Sequence, residues 1–432
     1  MSIETDTMKK KSKRSLTPIM RFPEFRDSPE WVEKSLSEIT SVIFDGTHQT
    51  PTYTEAGIPF YSVENLISGN ANKFISREDY DLATRNNKPE KGDILLTRIG
   101  KIGFSQVVTW EHEFSVYVTL AVIKGSSQFD SGYLHCLLQS DFYQSELRSK
   151  SLSNAVPPKI NMDTLRETKV LLPAPSEQQK IADCLVSLDG LIAAEGQKLA
   201  ALRDQKRGLM QQLFPQPGQT QPPLRFPEFR NKGNWVECEL AELLPIGSSK
   251  RVHQRDWASD GVPFYRAREI VAIHNGEKIS PLYISENLYD ENIAKTGAIS
   301  RGDLLVTGVG SIGVPYLVNS SDRFYFKDGN IVWLKNDESQ VIGRFLHLLY
   351  QTPYVQSQIA KMAGVGPVGT YTIDNAKRTQ IAFPCDLTEQ CKVADCLGTL
   401  DTQITAQVAK TDALKKHKKG LMQVIFPAPK EQ

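Results

Sequence analysis

One six-residue stretch occurs twice in this chain of 432 residues. The hexamer RFPEFR occupies residues 21–26 and returns unchanged at 225–230, an offset of 204 residues. A tryptophan follows each copy, Trp31 after the first and Trp235 after the second. Repeat arrays have periods of about 20–50 residues, so an offset this long indicates duplication of a whole domain.

Further matched blocks extend the duplication over nearly the whole chain. Two copies of a unit of about 200 residues fit the length, which exceeds what one hydrophobic core usually organises. The blocks pair GIPFYSVENL (57–66) with GVPFYRAREI (261–270), KGDILLTRIGKIG (91–103) with RGDLLVTGVGSIG (301–313), SEQQKIADCL (176–185) with TEQCKVADCL (388–397), and KRGLMQQLFP (206–215) with KKGLMQVIFP (418–427).

The first part of each unit, about 150 residues, has the pattern of a compact α/β domain. DILLTRIG and DLLVTGVG are predicted to be buried strands that end at glycine turns. Residues 133–147 and 343–359 have helical spacing of their apolar side chains. The predicted fold class is therefore α/β (α+β) with two duplicated globular domains.

The second part of each unit is predicted to be one long helix that pairs with its counterpart. Ser176 and Thr388 are the expected N-caps, with Gln179 completing a capping box. Apolar residues then recur with a 3.5-residue period, which is typical of a coiled coil. The polar positions in this seam match between copies, Glu195 with Gln407 and Lys206 with Lys418, so the two helices are expected to pair with each other. The predicted helix-pairing residues are Ile181, Leu185, Leu188, Ile192, Leu199, Leu202, Leu209 and Leu213, and Val393, Leu397, Leu400, Ile404, Leu414, Leu421 and Ile425.

Antiparallel pairing would place one globular domain at each end of a stiff bar about 50 Å long, a dumbbell with an approximate internal two-fold axis. The short, proline-rich stretch 216–224 suits a linker between the end of the first helix and the second domain. The predicted boundaries are a flexible basic tail at 1–20, a globular domain at 21–175, a helix at 176–214, a linker at 215–224, a second globular domain at 225–387 and a second helix at 388–427.

Composition excludes several classes of protein. No apolar run reaches the roughly 20 residues that span a bilayer, and no apolar stretch follows the N-terminal charges as in a signal peptide. The six cysteines form no CxxC pair, so we expect reduced thiols and a cytoplasmic location. The net charge of +1 is low for a protein that binds nucleic acid through phosphate contacts alone. Nucleic-acid binding would therefore be shared with a basic partner.

The sequence contains no self-contained catalytic or metal-binding constellation. GVGSIG, from Gly308 to Gly313, spells a dinucleotide-binding fingerprint, but the matching copy lacks the first glycine and Val314 and Pro315 follow without a helical pattern. We interpret this motif as a tight turn between two strands. The seven histidines show no paired ligand spacing, and the recurrent Asp93 and Asp303 are expected to be hydrogen-bonded in turns.

Polar segments that differ between the two copies are the candidate recognition surface. They are residues 45–53, 84–91 and 97–101 in the first copy, and 248–257 and 265–270 in the second. Arg, Lys, Asn, Gln and His side chains read base edges, and Lys and Arg also bind phosphates. Variable polar loops on a duplicated framework are typical of binding sites. The candidate DNA-binding residues are Thr47, His48, Gln49, Arg85, Asn86, Lys88, Arg98 and Lys101 in the first copy, and Arg251, His253, Gln254, Arg255, Arg266 and Arg268 in the second.

Taken in order, the repeated motifs resemble those of the specificity subunits of type I restriction-modification systems. The resemblance rests on the RFPEFR openings with their tryptophans, GIPFY and GVPFY, GDILL and GDLLV, the two ADCL blocks and the two GLMQ blocks, over nearly all of residues 21–427. It implies two target recognition domains, each reading one half of a split, asymmetric site in double-stranded DNA. It also implies two antiparallel helical spacers that fix the distance between the half-sites.

The resemblance further implies partners that carry the chemistry. Two methyltransferase subunits dock on such a chain and use S-adenosylmethionine, and two motor-nuclease subunits use ATP and Mg²⁺. This chain would itself hold no cofactor and would not be an enzyme.

Two other interpretations remain open from the residues alone. The first is a dinucleotide-dependent enzyme that uses Gly308 to Gly313. The second is a structural adaptor that bridges proteins without contacting DNA.

Overall fold

The computed structural model of this chain describes residues 16–40, 42–364 and 369–428. Its contacts divide the chain into two units, Met1–Gly196 with Ala409–Gln432, and Gln197–Val408. Each unit contains one globular α/β domain and one half of each of two long helices. The predicted class of duplicated α/β domains with two long helices is confirmed. The basic stretch of the predicted tail, residues 9–14, lies outside the described residues.

The two copies contain the same helices and strands in the same order. Short 3₁₀ turns at Pro23–Phe25 and Pro227–Phe229 also correspond, and one at Gln254–Asp256 occurs in the second copy alone among the described residues. The first copy consists of β1 (Val32–Ser35), α1 (Leu36–Ile39), β2 (Ile43–Asp45), β3 (Tyr53–Thr54), β4 (Ile58–Tyr61), α2 (Val63–Ser68), β5 (Phe74–Ile75), α3 (Arg77–Ala83), β6 (Ile94–Thr97), β7 (Ser105–Val107), β8 (Ser115–Val116), β9 (Leu120–Ile123), α4 (Ser131–Gln139), α5 (Asp141–Lys150), α6 (Met162–Arg166), β10 (Lys169–Leu172) and α7 (Pro175–Leu213).

The second copy follows the linker. It consists of β11 (Val236–Glu239), α8 (Leu240–Leu243), β12 (Ile246–Gly247), β13 (Trp257–Ala258), β14 (Val262–Tyr265), α9 (Ala267–His274), β15 (Leu282–Ile284), α10 (Glu286–Thr296), β16 (Leu304–Thr307), β17 (Pro315–Leu317), β18 (Tyr325–Phe326), β19 (Ile331–Leu334), α11 (Gly343–Tyr350), α12 (Pro353–Ala363), α13 (Ile373–Lys377), β20 (Gln380–Phe383) and α14 (Leu387–Ile425).

Each domain is built on three small sheets with the same strand order in both copies. A four-stranded antiparallel sheet has the order β2-β9-β6-β7 in the first domain and β12-β19-β16-β17 in the second. A second sheet has the order β3-β5-β4-β8 or β13-β15-β14-β18, and its last pair is parallel. A two-stranded ribbon joins β1 to β10 and β11 to β20. Identical topology in both copies demonstrates that the repeated motifs encode one fold twice.

The strands predicted from DILLTRIG and DLLVTGVG are β6 and β16, and every residue in them is buried. The glycine motif after β16 forms a hairpin turn into β17, to which β16 pairs antiparallel, and no helix follows it. Gly310 and Gly313 have φ of 71° and 82°, values that glycine adopts readily. Asp93 and Asp303 each accept backbone N–H hydrogen bonds in turns, as expected.

Each stretch with helical spacing contains two helices rather than one. α4 ends before Ser140 and α5 begins after it, and the Ser140 side chain accepts a hydrogen bond from the Tyr143 N–H. Thr352 does the same between α11 and α12, by accepting from the Val355 N–H. An apolar period continues through such a break, so the pattern alone does not reveal it.

The two long helices contain 39 residues each, about 58 Å of helix. The N-caps predicted for them are wrong. α7 begins at Pro175, so Ser176 already lies in its first turn, and Gln179 donates to the Asp183 carboxylate instead of completing a capping box. A proline is favoured at the first helical position because its missing N–H has no partner there anyway. In α14 the cap is Asp386, which accepts hydrogen bonds from Thr388.

The long helices run antiparallel, because residues early in one contact residues late in the other. Two of the polar seam positions recognised in the sequence, Lys206 and Lys418, form matching ion pairs in their respective units. The ion pairs between the helices join Lys418 to Asp189 at 2.6 Å and Lys410 to Glu195 at 2.5 Å in the first unit, and Lys206 to Asp401 at 2.6 Å in the second.

All the predicted helix-pairing residues are buried or half-buried, but those at the helix ends also belong to the domain cores. Ile181, Leu185 and Ile425 lie in the core of the first domain. Leu213 and Leu397 lie in the core of the second. The ends of the helices are therefore part of the globular domains, and only their middle parts form a plain two-helix seam.

Each helix also ends in a phenylalanine that completes an aromatic cluster. Phe426, after α14, lies with its ring centroid 6.3 Å from that of Trp31 and 6.1 Å from that of Tyr133. The counterpart in the second unit joins Phe214 to Trp235 and Phe345, at 6.3 and 5.3 Å. The tryptophan that follows each hexamer is thus a packing residue.

The first arginine of each hexamer clamps the start of a long helix. Arg21 donates from Nε and Nη2 to the Glu177 carboxylate at 2.8 and 2.5 Å, and both side chains are buried. This hydrogen bonding raises the pKa of Arg21 above its ordinary value. Arg225 makes the same two-pronged contact with Glu389, at 2.8 and 2.6 Å.

The residues just before each hexamer contact the end of a long helix. Leu224, the last residue of the predicted linker, donates its N–H to the Gln212 carbonyl. Met20 donates in the same way to the Val424 carbonyl, and Leu16 packs against the core of the first domain. The last residues of the predicted tail are therefore held against the first unit.

We expect Arg21→Ala to lower the free energy of unfolding of the first unit by about 3–5 kcal/mol, because it leaves the buried Glu177 carboxylate without its partner. The matched control is Arg26→Ala. This arginine is in the same hexamer, and its side chain is exposed and has no polar partner among the residues described. Thermal and denaturant unfolding of both variants measures the difference. Equal stability of the two variants would show that the clamp contributes nothing.

Candidate nucleic-acid interface

The variable loops of the first domain line one open groove. Residues 44–47 and 49–52 form one wall, and the end of α3 with Asn86 and Asn87 forms another. The groove has a volume of about 510 Å³ and brings together three predicted residues, Thr47, Gln49 and Asn86. Amide and hydroxyl side chains in a concave surface are suited to hydrogen bonding with base edges.

The remaining predicted residues of the first copy fall into exposed and engaged groups. Arg85 and Lys101 are exposed, and their side chains have no polar partner in the described part of the chain. Lys88 is exposed but donates to the Glu113 carboxylate at 3.1 Å. His48 is exposed, and its Nε2 lies 3.1 Å from the Asp45 carboxylate.

Arg98 lies beneath this surface rather than on it. Its side chain is 9% exposed, and it donates to the Asp45 carboxylate at 3.0 Å and to the Val118 carbonyl at 2.8 Å. Its Nε also donates to the Ile160 carbonyl. Burial lowers the pKa of the guanidinium, and the Asp45 charge opposes that effect. Arg98 therefore joins the start of the 45–53 loop to two other segments.

The predicted residues of the second copy cluster on one loop and one helix start. Arg251, His253, Gln254 and Arg255 lie on the exposed loop around a short 3₁₀ turn. Arg251 reaches the Asp328 carboxylate at 2.9 Å, although its own side chain remains largely exposed.

Arg266 and Arg268 share one buried carboxylate. Both donate to Glu269 at 2.7 Å, and the Arg266 N–H donates to the same side chain at the start of α9. Burial would raise the pKa of Glu269, but the hydrogen bonds from the two arginines and the backbone outweigh it, so the net pKa is lowered. Glu269 is charged at neutral pH and holds Arg266 in place, whereas most of Arg268 remains exposed.

The framework positions under the loops differ between the copies in a systematic way. Ser62 and Asn65 cap α2, whereas Arg266 and Glu269 cap α9 at the matching positions. Arg98 has Gly308 as its counterpart, where an added Cβ would lie 2.6 Å from the Tyr371 carbonyl oxygen. The same backbone frame thus supports two different loop surfaces.

The sequence missed part of the groove. Asp79 and Leu82 on α3, and Asn87 beside it, line the wall opposite the 45–53 loop. The signal was present, because residues 73–90 have little in common with the second copy. A short helix within a variable stretch gave no reason to select individual side chains.

The structure also bears on membrane and metal sites. No helix in residues 16–40, 42–364 and 369–428 is long and apolar enough to cross a bilayer. Within those residues, no group of three or more His, Cys, Asp or Glu side chains is arranged to hold a metal ion.

Comparisons with protein families and known proteins agree with the fold. Residues 29–204 match the model of the type I restriction modification DNA specificity domain. A putative type I restriction enzyme specificity subunit of Haemophilus influenzae is 32% identical over 167 residues, 38% of this chain and 40% of that protein. A putative specificity subunit of Methanocaldococcus jannaschii is 22% identical over 424 residues, 93% of this chain and 94% of that protein.

Solved structures share the architecture at low sequence identity. The S subunit of a type I restriction-modification system from M. genitalium superposes with a TM-score of 0.61 at 13% identity, over 96% of this chain and 100% of that one. A chain from a study of complex assembly in a type I system gives a TM-score of 0.55 at 17% identity, over 92% and 98%. These likenesses concern the fold.

Proposed function

We propose that this chain, which belongs to the family of type I restriction-modification specificity subunits, selects the DNA sequence on which a modification and restriction complex acts. Each globular domain would read one half of a bipartite, asymmetric site in double-stranded DNA. A specificity subunit is a non-catalytic component, so chemistry belongs to the subunits with which it assembles. The alternatives of a dinucleotide enzyme and a DNA-free adaptor are not favoured.

The observation that carries this proposal is the contrast between frame and loops. The frame is the same in both domains down to strand order, whereas the loops on it present different polar side chains. Two half-sites of different sequence require this arrangement, because base edges are read by the identity of side chains. An adaptor that bridged two identical proteins would have no need for loops that differ.

Within each domain we assign base and phosphate contacts to the exposed candidates. In the first domain these are the groove residues with Arg85, Lys88 and Lys101. In the second they are the 251–255 loop with Arg268. Arg98 and Arg266 would act by holding these loops in place, because their guanidinium groups are already engaged within the protein.

We expect Asn86→Ala to relax or change only the first half of the methylated motif, and Arg255→Ala or Arg268→Ala only the second. A base contact is worth about 1–3 kcal/mol of discrimination, whereas a lost phosphate contact weakens binding to all sequences alike. Methylome sequencing of strains that carry each variant identifies the half-site affected. Arg230→Ala, an exposed arginine of the framework, is the control. An unchanged motif and affinity in all three variants would contradict the assignment.

We further propose that the long helices determine the number of base pairs between the half-sites. A seven-residue insertion near Glu195 and another near Gln407 preserve the seam, because seven residues complete the 3.5-residue period twice. Each insertion adds about 10 Å of helix. At ~3.4 Å per base pair, the spacer of the methylated motif should lengthen by one to about three base pairs with both half-sites unchanged.

The torsion of DNA limits this lengthening, since three base pairs turn the duplex by about a third of a turn. Methylome sequencing of the double-insertion strain measures the spacer. Seven residues inserted after Gly218, in the linker, are the control and should leave it unchanged. An active double-insertion strain with the original spacer would show that the helices do not set the distance.

We also propose that two identical methyltransferase subunits dock on this chain, and that two motor-nuclease subunits join them. Gly208 and Gly420 occupy the same position in the two long helices, within the GLMQ blocks. A glycine inside a helix costs about 1 kcal/mol relative to alanine. At both positions an added Cβ would meet no atom within 4 Å, so packing within this chain does not require the glycine. Close approach of a partner would explain why both copies keep it.

Gly208→Trp or Gly420→Trp should therefore each block one of two docking surfaces, and the double variant both. Native mass measurement should give two methyltransferases per wild-type chain, one per single variant and none for the double variant. Gly190→Trp is the control, because this glycine also has open space but is a threonine in the other copy, Thr402. Two methyltransferases on the double variant would contradict the proposed surface.

The cofactors follow from this division of labour. We propose that S-adenosylmethionine binds to the methyltransferase, and ATP with Mg²⁺ to the motor-nuclease, in the cytoplasm where the cell keeps its DNA.

A further inference from the structure

The loop of residues 152–159 in the first domain exposes an apolar side chain completely. Val156 is 99% exposed at its tip, and Leu152 at its base is 48% exposed. Soluble proteins carry single exposed apolar residues without consequence, so this exposure alone assigns no role. The role of Val156 is inferred from the contacts that hold this loop in place.

Backbone hydrogen bonds hold this loop in a defined shape. The Leu152 N–H donates to the Lys159 carbonyl at 2.8 Å, which closes the base, and the Ala155 N–H donates back to Leu152 at 3.2 Å. The Pro158 carbonyl accepts from Gly100 at 2.8 Å. Pro157 and Pro158 also restrict the backbone, since proline fixes φ. These contacts give the loop a defined backbone conformation with Val156 exposed at its tip.

The same base is fastened to the candidate recognition loop. Ile160, which follows Lys159, donates its N–H to the Arg98 carbonyl and accepts from Arg98 Nε. The Arg98 guanidinium also binds Asp45, where the 45–53 loop begins, and Asp45 lies beside His48. One buried arginine therefore ties the 152–159 loop to the wall of the groove.

Two lysines lie at or near the base of the loop. The side chains of Lys159 and Lys101 are both exposed, and neither ammonium group has a hydrogen bond or an ion pair among the described residues. They lie on neighbouring segments, because Ile99 and Lys159 form a β-bridge. Lysine side chains without a partner and an apolar tip on one loop suit DNA, where phosphates border a major groove in which the thymine methyl group offers an apolar contact.

We propose that the 152–159 loop is a further DNA-contacting element of the first domain, in which Lys159 binds a phosphate and Val156 contacts base edges in a groove. This inference rests on the proposed function, since it extends the same recognition surface. It adds a segment that lies about 100 residues beyond the 45–53 loop in sequence and belongs to the framework between α5 and α6.

The test uses the complex of the full chain with its methyltransferase and a duplex that contains the motif methylated by the wild-type complex. Val156→Asp should lower affinity about tenfold or more, because it removes an apolar contact and places a negative charge near phosphates. Val32→Asp is the matched control, a valine of the same unit that is 54% exposed on β1, and its affinity should stay within about twofold of wild type.

Lys159→Ala separates the two contacts. It should weaken binding to all duplexes and reduce the slope of log affinity against log salt by about 1, whereas Val156→Ser should lower affinity with the slope unchanged. Both side chains lie outside the core, so thermal unfolding should match wild type in every variant.

Three results would overturn the inference. The first is wild-type affinity and salt slope in Val156→Asp and Lys159→Ala. The second is loss of the methyltransferase from the Val156→Asp complex, which would assign the loop to a protein partner. The third is a wild-type complex that binds no duplex, which would overturn the proposed function together with this inference.

Discussion

The rest of each unit depends on one buried ion pair, between the first arginine of the hexamer and a glutamate in the first turn of a long helix. Arg21 with Glu177, and Arg225 with Glu389, join the chain entering a globular domain to the helix leaving it. A buried ion pair contributes little net stability compared with apolar packing, but loss of one partner is strongly destabilising. Its value here is geometric, because a two-pronged contact fixes the direction of the helix as well as its position. The repeated hexamer therefore marks the joint at which each globular domain is attached to its long helix.

Much of the fold around this ion pair could be predicted from the sequence, because duplication marks the residues on which the fold relies, but the ion pair itself was not predicted. The buried strands and the pairing of the two long helices followed from matched blocks and periodicity, whereas the antiparallel orientation followed from the family resemblance. The start of α7 did not, since Ser176 satisfies the capping rule while Pro175 satisfies a competing one. The split at Ser140 was invisible for a similar reason, because an apolar period does not record a change of helix axis.

The candidate interface could be predicted only as segments. Variable polar stretches located the 45–53 and 251–255 loops, but sequence cannot distinguish an arginine that reads DNA from one that supports a loop. Arg98 is of a residue type that commonly contacts DNA, but it has the environment of a core residue. The Asp45 carboxylate and two backbone carbonyls surround its guanidinium. Side-chain burial depends on which distant segments pack together in the fold, and the local sequence pattern does not show this. The 152–159 loop, which we propose as a further contact, was not selected from the sequence, because valine and proline are not typical of residues that bind nucleic acid.

The charges beside the helix seam indicate why the helices are antiparallel. Lys206 and Lys418 are equivalent residues of the two copies, as are Asp189 and Asp401. A parallel, in-register pair would place lysine against lysine and aspartate against aspartate, whereas the antiparallel pair matches each lysine with an aspartate. These partly exposed pairs contribute only about 0.2–1 kcal/mol each, too little to hold the helices together. The orientation depends on the free-energy difference between the parallel and the antiparallel pair, which share the same apolar seam. Charge pairs that are attractive in one arrangement and repulsive in the other are therefore sufficient to decide it. Duplication supplies this discrimination at these positions, because the lysine and the aspartate of one copy are repeated in the other.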